Sequence, residues 1–161
     1  METPAQQLNI PINVTLSLQE VKCLSFNLTE YGTSNKRQIS FEGYEFSFTI
    51  NFNLIEPTKQ AKVSMLCKLI EKQSETVKYE LAELKAEGVF LLQNYSDIIL
   101  RDNTKKNILI PNPLIELCNG IIVSSVRGMF SIKLENTLYS NAILPLLNPS
   151  QLIPKHKAVV E

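Results

Sequence analysis

Tyr44-Glu45-Phe46-Ser47-Phe48-Thr49-Ile50-Asn51-Phe52-Asn53-Leu54 decides the fold. Apolar and polar side chains alternate through this stretch without a break. A strand sends successive side chains to opposite faces, so the stretch predicts a strand with one apolar and one wet face, the signature of an antiparallel sheet covered on one side. Glu56, Pro57 and Thr58 close it. Val63, Met65, Cys67 and Leu69 then alternate with Lys62, Ser64 and Lys68, and the short connection favours antiparallel pairing.

The same reading extends both ways. Upstream, Val14, Leu16 and Leu18 alternate with polar neighbours, and after a change of phase Leu24, Phe26 and Leu28 do likewise, which predicts a strand bulged near Glu20 to Cys23. Tyr31 to Gln38, with Gly32, Ser34 and Asn35, reads as a loop. Downstream, Gln73 to Glu75 break the chain before Val77, Tyr79 and Leu81, and a fourth strand runs on through a bulge at Gly88 to Leu92. Four consecutive strands predict a meander.

After Asn94 the texture changes. Leu114, Leu117, Cys118, Ile121, Ile122 and Ser125 recur at helical spacing behind Pro113, a good first-turn residue, and Gly128 is a natural stop. Gly120 weakens such a helix by about 1 kcal/mol relative to alanine and permits close packing. Leu144-Pro145-Leu146-Leu147-Asn148-Pro149 can neither extend a helix nor enter a central strand, so it should drape over other structure. The expected class is α+β: a four-stranded antiparallel sheet, then a long helix and a proline-rich C-terminal segment. Residues 1–13 are an irregular lead-in, 14–154 one domain and 155–161 a flexible tail.

At 161 residues with 44% hydrophobic content, one core is expected. No uninterrupted apolar run approaches the roughly 20 residues of a membrane span. The first residues lack the basic and apolar regions of a secretory signal, and three scattered cysteines, Cys23, Cys67 and Cys118, form no CxxC pair, so a reducing cytoplasm fits best. Sixteen basic and sixteen acidic residues are interspersed, which disfavours nucleic acid.

The chemistry of a catalytic or metal site is missing from the text. The one histidine, His156, sits between two lysines near the C-terminus. Each cysteine lies in an apolar pattern, where a thiol acts as a small hydrophobe. No phosphate-binding glycine loop is present, so no nucleotide cofactor is expected. Glu80, Glu83 and Glu87 are interleaved with Lys78 and Lys85, as on a solvated strand face. The strongest signal is the aromatic alternation of residues 44–52, whose plain reading is a core face; left partly open, the same face would bind polypeptide.

The order of elements and the local text around the helix resemble the SecB family of chaperones. Asn107-Ile108-Leu109-Ile110-Pro111 is similar to the family's asparagine-isoleucine-leucine-x-proline opening. Arg127-Gly128-Met129-Phe130 resembles its arginine-glycine-x-phenylalanine close, and Leu144-Pro145-Leu146-Leu147-Asn148 its leucine-x-proline-valine-asparagine segment. The intervals from Pro111 to Arg127 and from Gly128 to Pro145 are longer than in the export chaperones. The resemblance implies a homotetramer, a dimer of dimers, that holds unfolded polypeptides in hydrophobic grooves without nucleotide. Tyr44, Phe46, Phe48, Phe90 and Leu147 are then the expected client contacts, and Leu114, Leu117 and Ile121 the expected oligomer contacts. Export members are markedly acidic and engage the translocase motor through that charge, whereas this chain is formally neutral; related members protect the antitoxin of a toxin–antitoxin pair. A dedicated interaction or assembly subunit is the competing reading.

Overall fold

The computed structural model describes residues 13–29, 44–72, 78–102, 107–152 and 159–160. The expected loop at Tyr31 to Gln38, the break at Gln73 to Glu75, His156, and most of the expected lead-in and tail lie outside them. Strands β1 (Leu16–Leu28), β2 (Tyr44–Ile55), β3 (Gln60–Lys72) and β4 (Lys78–Leu92) lead to a one-turn helix α1 (Tyr95–Ile98), a small ribbon of β5 (Leu100–Asp102) and β6 (Asn107–Leu109), and the long helix α2 (Asn112–Leu134). A 3-10 turn (Pro149–Leu152) and β7 (Val159–Val160) follow.

The four long strands form one antiparallel sheet, as the alternation predicts, but its order is β1-β4-β3-β2-β7. Only β2, β3 and β4 form a meander. β1 lies beside β4 rather than β2, which gives the Greek-key order of three hairpin-connected strands and a fourth brought round by a long connection. Asn94 fixes this arrangement: its side chain accepts from the Thr15 amide (3.0 Å) and donates to the Asn13 carbonyl (2.6 Å), tying the start of β1 to the end of β4. The β1 register shifts between Leu18 and Glu20 and again between Cys23 and Ser25, bracketing the expected bulge. In β4 the irregularity falls at Leu81, where the pairing steps from Glu80 to Ala82; Gly88 to Leu91 pair with β3 without a break, and the irregularity opposite Val89 and Phe90 belongs to β1.

Each strand sends one face to α2. Ala61, Val63, Met65, Cys67 and Leu69 of β3 and Ala82, Leu84, Ala86, Phe90 and Leu92 of β4 are buried there. The inner side of α2 contributes Leu114, Ile115, Cys118, Ile122, Val123, Val126, Phe130 and Leu134. The helix lies close to β4 because Gly88 has no side chain: a Cβ there would collide with Cδ1 of Ile122. This is the close approach that Gly120 was expected to provide; Gly120 instead lies on the outer side.

The helix begins where expected, with Asn112 and Pro113 in its first turn. It does not stop at Gly128, and no described glycine has positive φ. A Cβ at Gly128 would meet nothing, so the residue continues as an ordinary exposed helical position. The stop comes after Glu135, at Asn136, whose φ of 64° lies in the left-handed region that ends helices. The Thr137 hydroxyl donates to the Leu134 carbonyl (2.7 Å) and satisfies the helix end.

By length and composition α2 is apolar enough to cross a membrane, a property hidden from a search for unbroken apolar runs. Nine of its residues are buried, as befits a core helix. What its length and composition leave over is an apolar outer face.

Candidate functional site

Burial is graded along β2. Near its end Phe52 (3% exposed) and Leu54 (0%) are sealed, whereas Tyr44, Phe46, Phe48 and Ile50 are half-buried on the same face. The half-open strip is held from within. Phe46 meets Phe130 edge-on at 5.9 Å between ring centroids, and Phe130 in turn meets Phe26 of β1 at 6.2 Å. Edge-to-face contacts of this kind fix ring orientation as well as area. Tyr44 stands edge-on to Tyr139 at 6.4 Å, and the Tyr139 hydroxyl donates to the Thr29 carbonyl at 3.3 Å. Burial, followed by the Glu71 carboxylate and Tyr139, pushes the Tyr44 phenol up to about 12, so it remains a neutral donor. The strip is therefore rigid, aromatic and uncharged.

The opposite face of the sheet is laced with cross-strand ion pairs. Lys62 meets Glu87 at 2.9 Å and Lys68 meets Glu80 at 2.8 Å and Glu83 at 3.1 Å. Glu45 takes Lys72 at 2.7 Å and Lys78 at 3.5 Å; the hydrogen bond from Lys72 holds its carboxyl below the usual range. The acidic residues of β4 are thus countered mainly by lysines on neighbouring strands. An apolar chain would gain nothing on that face.

A second concavity follows the outer side of α2. Gly120, Val123, Ser124 and Arg127 face Pro145, Leu146 and Leu147 across a cavity of about 380 Å³. It continues into an open trough of about 680 Å³ along Glu116, Leu117, Ile121 and Ser125. The proline-rich segment drapes as expected, with Leu144 buried and Leu146 84% exposed.

Of the five expected client contacts, Tyr44, Phe46 and Phe48 share the β2 strip, Leu147 lines the cavity beside α2, and Phe90 has no exposed surface. Of the three expected oligomer contacts, Leu114 is fully buried within the protomer, Ile121 is half-buried and Leu117 is 42% exposed. Ile132, Leu138, Ile143 and Leu146 are large exposed apolar residues that the sequence reading did not single out.

Among the described residues no cluster of His, Cys, Asp or Glu is arranged to hold a metal. Burial pushes the thiols of Cys67 and Cys118 up to about 12, which leaves no thiolate at neutral pH. Iodoacetamide at pH 8 should label neither until the chain is unfolded. Intact mass before and after denaturant checks this; native modification of two or more cysteines contradicts the burial.

No protein-family model and no curated protein sequence matches the chain. Among solved structures, the chain superposes on the Mycobacterium tuberculosis SecB-like chaperone Rv1957, in complex with a ChAD peptide from the Rv1956 HigA1 antitoxin. The TM-score is 0.52 at 10% identity, over 82% of this chain and 90% of that one. The fold is SecB-like. A protein of unknown function from Streptococcus agalactiae also matches, at TM-score 0.41 and 7% identity over 84% of this chain and 98% of that one. On the SecB-like fold of this chain, the half-open strip lies on β2 and the apolar trough on the outer side of α2.

Proposed function

We propose that the protein is a homo-oligomeric, nucleotide-independent chaperone that holds extended polypeptide against the aromatic strip of β2. The observation that carries this is the combination of a SecB-like fold with a half-open row of Tyr44, Phe46, Phe48 and Ile50 on the core face of β2. Holding requires no reaction: apolar side chains of a client leave water at about 25 cal/mol per Å², and several weak contacts along one chain add up. In this reading the protein is not an enzyme, and it works as a soluble cytoplasmic factor.

A dedicated antitoxin-type client is favoured over general protein export by the charge. The chain has a net charge of zero, which suits poorly an acid-driven contact with the translocase motor.

The test is suppression of turbidity by the purified protein mixed with a chemically unfolded, aggregation-prone client, without nucleotide. Phe48→Ser should weaken client binding roughly tenfold, because some 55 Å² of apolar contact corresponds to about 1.4 kcal/mol. Lys68→Ala, on the ion-paired face, should leave it unchanged. Equal effects from both, or no suppression by the native protein, would remove the reading.

A further inference from the structure

We propose that the free edge of β2 takes a client as an added strand, main chain to main chain, along Tyr44–Asn51. The inference deepens the proposed function and rests on it: the client's side chains reach the aromatic strip while its backbone extends the sheet.

Among the described residues β2 has β3 on one side and, on the other, only the two residues of β7, at Asn53 and Leu54. In an antiparallel pair every second residue turns its N–H and C=O away from the neighbouring strand, so Tyr44–Asn51 offers a row of backbone donors and acceptors about 26 Å long. Proteins blunt such edges with lysine, proline or a bulge. β2 carries none of the three. Its register with β3 runs from Tyr44 to Ile55 without a shift, whereas β1, at the opposite edge, shifts twice. The lysines of the long strands stand elsewhere, at Lys22 of β1, at Lys62, Lys68 and Lys72 of β3 and at Lys78 and Lys85 of β4. That this edge accepts a strand is plain from β7, which pairs with it in parallel through Val159 and Val160.

The two faces of β2 set the chemistry of the client. On the core side Tyr44, Phe46, Phe48 and Ile50 are half-buried, and an added strand lays every second side chain beside them, where aromatic and β-branched residues gain most from cross-strand pairing. On the other side Ser47, Thr49 and Asn51 are exposed and uncharged, so intervening client residues of either sign meet no like charge directly opposite. Glu45, the charged residue of β2, is already held by Lys72 and Lys78. The site therefore takes an extended segment of about eight residues, apolar at every second position and indifferent to charge at the rest. β7 closes it at Asn53, which keeps the added strand short.

The experiment is residue-resolved hydrogen–deuterium exchange on the full chain, free and saturated with a synthetic peptide that has valine or phenylalanine at every second position, serine or threonine between them and a lysine at each end. In the free protein, alternate amides of Tyr44–Asn51 should exchange fast, and peptide should slow that set at least tenfold. The same peptide N-methylated at every amide between its lysines keeps the side chains and loses the donors, so it should bind at least tenfold more weakly. Outward amides that stay fast with peptide bound, or a methylated peptide that binds within about threefold of its parent, would overturn the inference. Outward amides already slow in the free protein would do so too, since another strand, the chain's own or a second copy's, would then hold the edge. Turbidity suppression is read separately. Suppression with outward amides still fast sinks this inference alone, and slowed amides without suppression sink the chaperone reading alone.

Discussion

Phe130→Ala should lower the unfolding free energy by about 3–5 kcal/mol, the range for emptying an aromatic site in a closed core. Phe130 is 1% exposed, lies two residues past Gly128, and touches Phe26 and Phe46 edge-on. Its loss removes the contact shared by β1, β2 and α2, and neither neighbouring ring can swing into the space without leaving its strand position. Against a typical total of 5–15 kcal/mol this is a large fraction, and for a chain of this size it corresponds to a fall of about 10 °C in Tm. Denaturant titration at fixed protein concentration measures it, since the proposed assembly would make stability depend on concentration. A change under about 1 kcal/mol would mean that the ring is not packed as described. Adding Phe46→Ala completes a double-mutant cycle; the coupling should be about 1 kcal/mol, and it reports how far the open strip depends on the core beneath it.

Positions 117 and 118 should respond in opposite ways to the same substitution. Cys118 has no exposed surface, and an aspartate there would be a carboxylate without a partner inside the core. Buried unpaired charge costs several kcal/mol, so Cys118→Asp should leave little folded protein by circular dichroism. Leu117 is 42% exposed on the outer face of the same turn. Leu117→Asp should keep the native spectrum and a Tm within a few degrees of native, and should weaken assembly. If Leu117→Asp unfolds the chain as thoroughly as Cys118→Asp, the outer face of α2 is not a surface of the protomer.

The alternation at Tyr44–Leu54 made β2 legible because period two is a local property of the chain. The position of β1 was not local. Its own pattern predicts a strand but carries nothing about which neighbour it takes, and the long connection between β1 and β2 frees it to pair with β4 instead. Gly128 misled for a related reason: glycine ends a helix only where φ turns positive, and here the left-handed residue is Asn136. Within the site, the sequence gathered Tyr44, Phe46 and Phe48 correctly onto one face. How far that face stays open depends on Phe130, Tyr139 and the course of the chain after α2, which are distant in sequence. Phe90 obeys the same alternation as its neighbours, and it is sealed because β4 lies between β1 and β3 with α2 packed over it.

Under the proposed function, the edges of the sheet bear on a hazard particular to a molecule that handles sticky chains. An open strand edge is a template on which further strands add, and repeated addition makes fibres. Among the described residues β1 presents such an edge over thirteen residues, yet its two register shifts bend and twist it away from the flat geometry that stacking requires. At the far side the two-residue β7 lies parallel to β2 across Asn53 and Leu54 and occupies the end of that edge with the chain's own backbone. A sheet with one edge crimped and the other partly capped can sit beside aggregating polypeptide without seeding a fibril of its own.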